Sequence, residues 1–259
     1  MIIRILLLLF VAAATASALS EENVSQSLDG APGGKLIVDV DFGTIDVSAG
    51  ANDKITLAAH RKIDSDNEAQ EKEYLTSAPV IVSKEGNTVT IRARRQNKER
   101  NLNWSGRCSM DARYTVQVPR SFNSELRTGG GTIIVAELTG SMSADTSGGR
   151  LAFENINGKI FGRTSGGSIS AKLKSPVPGD VNLETSAGSI DVMVPPDAGL
   201  DIEAEASSGR VISELPFIGT RTDRDTMKGK INGGGKSLVL RSGAGSISIK
   251  PASAEMAAR

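Results

Sequence analysis

Cys108 is the only cysteine and His60 the only histidine in this chain of 259 residues. A cysteine nucleophile needs a base or cation beside it to hold the thiolate. Any Cys–His pair must therefore be Cys108 with His60, and no histidine neighbours Cys108 in sequence. The plainer reading of Cys108 is a partly buried small residue. A single thiol cannot form an internal disulfide, so oxidation would have to join two molecules.

Carboxylates are the next candidates. Cleaving an acidic glycan needs clustered acids, or Arg and Lys with bound calcium, in one groove. The second half holds Glu137, Asp145, Glu154, Asp180, Glu184, Asp191, Glu203 and Glu205. They are scattered and fall mostly where a solvated strand face would be charged. The sequence contains no calcium nonapeptide repeat, nucleophile elbow, zinc-ligand set or P-loop. It predicts no catalytic residue, no metal ligand and no cofactor.

The strongest binding signal is basic. Residues 92–113 hold Arg92, Arg94, Arg95, Lys98, Arg100, Arg107 and Arg113 against Glu99 and Asp111, with Trp104, the only tryptophan. Arg94, Arg95, Lys98, Arg100, Trp104 and Arg107 form a candidate patch for an anionic glycan or nucleic acid. The competing reading is a solvated loop with Trp104 folded back as a plug. The whole chain balances 30 Lys+Arg against 30 Asp+Glu. That neutrality gives the patch no long-range support, favours the loop, and argues against nucleic acid or anionic lipid as partner. Aromatics are 3% of the chain, so stacking platforms are scarce.

These residues sit within a chain that begins with a targeting pattern. Arg4 precedes an apolar run from Ile5 to Ala14, and Ala16-Ser17-Ala18 fits a small-x-small cleavage site. The run is too short to span a bilayer comfortably. Residues 1–18 read as a cleaved signal peptide, with an extracytoplasmic mature chain beginning near Leu19 and no stable transmembrane anchor.

Residues 19–34 read as a loose polar leader. Residues 35–118 read as a β-rich region with one short helix. Strands are expected at 35–40, 41–47 and 54–59. A helix is expected over 66–77, with Ser65 and Glu68 as a capping box. A hairpin follows at 80–83 and 88–93, and another strand at 114–118.

The second half repeats. Arg127-Thr-Gly-Gly-Gly, Asp145-Thr-Ser-Gly-Gly, Arg163-Thr-Ser-Gly-Gly, Glu184-Thr-Ser-Ala-Gly, Glu205-Ala-Ser-Ser-Gly and Arg241-Ser-Gly-Ala-Gly align. Their last glycines, Gly131, Gly149, Gly167, Gly188, Gly209 and Gly245, are expected at corners that demand positive φ. Alternating Ile, Val and Leu follow each corner. One such coil cannot bury its own apolar side, so neighbours must stack. The fold expected is all-β: a glycine-cornered β-solenoid over 119–250, interrupted by a loop at 216–236, with a disordered tail at 251–259. A meandering sandwich is the competitor, but its turns do not usually recur at near-constant spacing.

Val116-Gln-Val-Pro-Arg-Ser-Phe-Asn leading into Arg127-Thr-Gly-Gly-Gly-Thr-Ile resembles the entry strand of the bacterial putative adhesin family (DUF4097 type). Asp145-Thr-Ser-Gly-Gly-Arg-Leu and Arg163-Thr-Ser-Gly-Gly-Ser-Ile continue the resemblance, which spans about Lys35 to Pro251. It implies a β-helix-like fold and an envelope or surface location. That family has no agreed catalytic residues, so none is carried over. The expected function is a non-catalytic envelope binding or scaffold module for an envelope glycan or protein. The alternatives are an envelope-stress regulator acting through a protein partner and, third, a polysaccharide-active enzyme.

Overall fold

The computed structural model describes residues 20–95, 107–222 and 224–252. The expected signal peptide and most of the expected tail lie outside the described residues. The described residues are all-β apart from one helix. Its first part runs β1 (Ser20–Asp29), β2 (Gly34–Val40), β3 (Thr44–Ala49), β4 (Lys54–Ser65), α1 (Glu68–Ser77), β5 (Ile81–Glu85), β6 (Thr88–Ala93) and β7 (Cys108–Val118). The repeats supply β8 (Phe122–Thr128), β9 (Ile133–Ala136), β10 (Met142–Thr146), β11 (Leu151–Ile156), β12 (Ile160–Thr164), β13 (Ile169–Leu173), β14 (Val181–Ala187) and β15 (Ile190–Val194). The chain ends with β16 (Leu200–Ala206), β17 (Val211–Ser213), β18 (Ile218–Thr222), β19 (Thr226–Ile231), β20 (Lys236–Ala244) and β21 (Ile247–Pro251).

Two mixed sheets result. One has ten strands in the order β1-β4-β7-β3-β9-β11-β13-β15-β21-β17. The other has eleven, in the order β18-β19-β16-β20-β14-β12-β10-β8-β2-β6-β5. From β8 to β15 consecutive strands alternate between the sheets, and each from β8 to β13 pairs in parallel with the strand two places on. Consecutive strands of a meander would pair with each other instead. Alternation of side chains along each strand puts every second residue in the interior. Ile45, Ile133, Leu151, Ile169, Ile190, Ile247 and Val211 meet in register as one buried aliphatic row between the sheets.

The corners explain the glycines differently from the sequence. Of the six, only Gly131 (φ 136°) and Gly245 (φ 157°) have positive φ. What unites them is close backbone contact between neighbouring repeats. A Cβ on Gly149 would fall closer than 3.0 Å to the Gly131 carbonyl, one on Gly167 to that of Gly149, and one on Gly188 to that of Gly167. The same holds for Gly245 over Gly188 and Gly209 over Gly245. The corner demands absence of a side chain more than a left-handed backbone.

Beside this glycine column runs a buried hydroxyl column. Thr146 Oγ1 donates to Gly131 O (3.0 Å), Thr164 Oγ1 to Gly149 O (2.9 Å), Thr185 Oγ1 to Gly167 O (2.8 Å) and Ser242 Oγ to Gly188 O (2.8 Å). The Thr146 and Thr164 hydroxyls also accept from the amides of Gly149 and Gly167 in their own coils. These threonines are buried and polar, and each is matched.

Four further expectations change. Residues 20–29, expected in a loose leader, form β1, which pairs along its whole length with β4. The helix is capped by Asn67, whose side chain accepts from the Gln70 amide, and not by Ser65. The 216–236 insertion is a hairpin, β18–β19, which pairs antiparallel with β16 and extends the sheet edge. Pro251, expected in the tail, is the last residue of β21. Antiparallel pairs close one edge of the ten-stranded sheet, at β1 and β4, and both edges of the eleven-stranded sheet, at β5 and β6 and at β18 and β19.

Candidate functional site

The basic segment leaves the eleven-stranded sheet at the end of β6 and re-enters the ten-stranded sheet at β7. Both feet rest on aspartates. At the first, Arg94 Nε bonds Asp39, its guanidinium reaches Asp41 (3.6 Å), and Arg92 approaches Asp39 (3.7 Å). The Arg95 amide donates to Asp41 Oδ2 (2.8 Å), and its guanidinium carbon lies 5.9 Å from the centre of the Tyr74 ring. Tyr74 donates its hydroxyl to the same Asp41 oxygen (3.1 Å) and packs against Phe42 at 5.7 Å between centroids. Burial, and then Asp41 beside it, push the Tyr74 phenol well above its ordinary value.

At the second foot, the Arg107 amide donates to Asp66 Oδ2 (2.8 Å) and its guanidinium to Asp64 Oδ1 (3.2 Å). Asp39 lies on β2, Asp41 follows it, and Asp64 and Asp66 lead from β4 into α1. Of the six candidate patch residues, Arg94, Arg95 and Arg107 therefore flank the helix and already engage carboxylates or a ring. Lys98, Arg100 and Trp104 lie outside the described residues.

The structure separates the one possible Cys–His pair. In the β4–β7 register His60 faces Arg113 and Ser65 faces Cys108. Five strand residues, about 17 Å, part the two side chains. His60 Nδ1 is instead 2.9 Å from Asn23 Oδ1. Burial, with Glu71 and Asp64 nearby, raises the Cys108 thiol above its usual value. That is the opposite of what a nucleophile needs.

Four of the eight candidate carboxylates of the repeats neighbour cations or amides. Glu184 and Glu203 flank Arg241 at 3.4 and 3.1 Å. Glu137 accepts from Asn155 (2.6 Å), and Asp180 accepts from the Ser237 amide (3.2 Å). Among the described residues no group of three or more His, Cys, Asp or Glu is placed to hold a metal ion.

Two features were not legible in advance. The first is a polar cluster beneath α1. Arg61, only 1% exposed, pairs with Glu22 and donates to Ala78 O (2.6 Å). Tyr114, buried nearby, has its phenol pushed up to about 12, chiefly by burial. Glu71 accepts from the Ser65 amide (2.6 Å) and hydroxyl (2.8 Å). The second is an open cleft of about 510 Å³ where three corner loops meet, lined by Ser175, Pro176, Asp197, Gly234 and Lys236 among others. Ser175 Oγ donates to Asp197 Oδ2 there (2.7 Å). Only the glycine run 233–235 and the prolines hint at those loops in sequence.

Glu71 carries a pH prediction. Burial alone would raise its carboxyl, but the hydrogen-bonding groups of Ser65 and Ser20 together outweigh burial and hold it below the usual range. Its contribution to stability is therefore fully present above the unfolded value, about 4.3, and is lost as pH falls through the lower folded value. Glu71→Gln is expected to cost about 1 kcal/mol at neutral pH and to flatten the acid limb of stability against pH. Urea melts between pH 3 and 7 check this: an acid limb as steep as wild type would assign that limb to other groups.

No family model and no curated protein matches the sequence. Solved structures do resemble the fold. A putative cell adhesion protein from Clostridium sporogenes superposes with a TM-score of 0.50 at 15% identity, covering 90% of this chain and all of that one. A putative lipid binding protein from Parabacteroides distasonis gives 0.36 at 11%, and a putative adhesin from Bacteroides fragilis 0.34 at 12%. Each of these two alignments covers 89% of this chain and 97% of the other. At 15% identity the shared property is the fold: an all-β chain of two large sheets, similar along nearly its whole length to one described as adhesive.

Proposed function

We propose that the protein is an exported, non-catalytic surface-binding module of the adhesin type, built as a β-solenoid of glycine-cornered coils. The observation that carries the reading is the alternation of parallel strands between two sheets with a column of side-chain-free corners. It gives a rigid body with two long faces and little chemistry inside. Such bodies serve as extended contact surfaces. The name of the Clostridium sporogenes structure agrees with that use.

In this reading residues 1–18 direct export, residues 35–118 begin the stack, and residues 119–250 extend it. No helix among the described residues is long and apolar enough to cross a membrane. The part of the basic segment from Lys98 to Trp104 is the contact point for an anionic envelope glycan. Arg94, Arg95 and Arg107 hold the segment's feet.

Co-sedimentation of the mature protein with isolated cell-wall sacculi and with outer-membrane vesicles tests the proposal, with released sugars assayed in the supernatant. Pelleting without released product is expected. Lys98→Glu with Arg100→Glu spares every foot contact described above. It is expected to reduce low-salt pelleting about tenfold if two phosphate-like contacts are lost. Release of sugars would turn the assignment to an enzyme, and failure to pellet with either envelope fraction would remove the surface-binding role.

A further inference from the structure

The last two coils stack in reverse of their chain order. Strand β20 lies between β14 and β16, and β21 between β15 and β17. The coil made last therefore sits inside, and the coil made before it sits outside. Parallel pairing of backbones does not distinguish the two orders, since every strand offers the same ladder. Something in the side chains must.

Two columns do. On the outer face of the eleven-stranded sheet one row reads, strand by strand, Arg92, Asp39, Arg127, Asp145, Arg163, Glu184, Arg241 and Glu205. Charge alternates at every step across eight strands. In chain order the end of the row would read Glu184, Glu205, Arg241 and would place two glutamates side by side. Opposite charges on adjacent strands attract and like charges repel.

The interior column agrees independently. Thr128, Thr146, Thr164, Thr185 and Ser242 each donate to a glycine carbonyl of the preceding coil, Gly43, Gly131, Gly149, Gly167 and Gly188 in turn. The equivalent position of β16 is Ala206, which has no hydroxyl. In the observed order Ala206 falls at the outermost coil, and Gly245 O accepts from Ser242 of its own coil (3.2 Å). In chain order Ala206 would lie over Gly188 O and deprive that part-buried acceptor of its donor.

We infer that these two columns select the inverted order, and that Glu205-Ala206 and Arg241-Ser242 are the residues that encode it. A consequence is that β21, the last strand described, lies inside its sheet between β15 and β17, while β16 and the β18–β19 hairpin occupy the edge of the other.

Exchanging the code tests this. In wild type Asn182 is the register partner of Val239, and Val239 of Glu203. In a Cys108→Ser background, Asn182→Cys with Val239→Cys reports the inverted order. Asn182→Cys with Glu203→Cys reports the chain order, because adjacent strands bring Cα atoms within disulfide reach. With the native code, oxidation is expected to couple 182 to 239 and not 182 to 203. Adding Glu205→Arg, Ala206→Ser, Arg241→Glu and Ser242→Ala places both codes in chain order. The ratio of the two couplings is then expected to shift by on the order of tenfold or more toward 182–203. A folded fourfold variant that keeps the native ratio would overturn the inference. Should that variant fail to fold, Arg241→Glu alone decides. The row then ends in three glutamates in either order, so the charge preference, worth one attractive and one repulsive pair, disappears. The ratio of 182–239 to 182–203 coupling is expected to fall about threefold, and an unchanged ratio overturns the inference equally.

Discussion

Gly167→Ala is expected to destabilise the protein by about 3 kcal/mol or more, a methyl group having this effect because it meets backbone on a neighbouring coil. The added Cβ would lie closer than 3.0 Å to both the carbonyl oxygen and carbon of Gly149. Neither is the end of a flexible side chain that can swing away. The clash can be relieved only by parting the coils, which stretches the Thr164–Gly149 hydrogen bond and opens the aliphatic row beneath. Overpacking a well-filled interior costs about 1–3 kcal/mol and sometimes more, and a rigid backbone obstacle belongs at the upper end. In a domain of this size each kcal/mol moves the melting temperature by about 2–4 °C. Gly148, one residue before the equivalent corner of the preceding coil, is the control. Nothing lies within 4 Å of its would-be Cβ. Gly148→Ala is expected to be neutral, or to stabilise by up to about 1 kcal/mol through the unfolded chain. Thermal melts of both variants separate stacking from turn flexibility: a similar loss at both positions would return the explanation to the backbone conformation of the corner.

Replacing Arg61 by leucine is expected to cost about 3 kcal/mol, the scale for removing one partner of a buried pair. Arg61 is the largest buried polar side chain of the fold. It ties β1 to β4 through Glu22 and closes the end of α1 through the Ala78 carbonyl. Its loss leaves Ala78 O without that donor and Glu22, about one third exposed, without its cation. Because Glu22 keeps contact with water, the damage should fall mainly on the helix and β1. Hydrogen exchange is expected to accelerate in 20–29 and 68–77 well before the repeats. Combining Arg61→Leu with Glu22→Leu should recover part of the loss, since a matched apolar pair leaves no stranded charge. Exchange that accelerates uniformly across all coils would show that the N-terminal end and the repeats unfold as one unit.

The sequence by itself determined the periodic parts. Strand positions in the repeats follow from alternating apolar residues, and the column of corner glycines follows from their recurrence, because both depend on neighbours a fixed step apart. It also made the Cys108–His60 pair and the scattered acids poor candidates for chemistry, and the β4–β7 register places Cys108 and His60 five residues apart. Three things depended on contacts between distant segments. The role of the corner glycines is close backbone approach between neighbouring repeats, which a turn signature read along one repeat does not contain. The polar leader became β1 because β4 is long enough to receive it and Arg61 is placed to bind Glu22. The order of the last two coils could not be read from spacing, since a 36-residue step between corner glycines fits an inserted loop as well as an inversion. Only the tertiary structure put Arg241 between Glu184 and Glu205, and the physical reason is that charge and hydroxyl partners are satisfied across strands, between residues the chain does not list side by side.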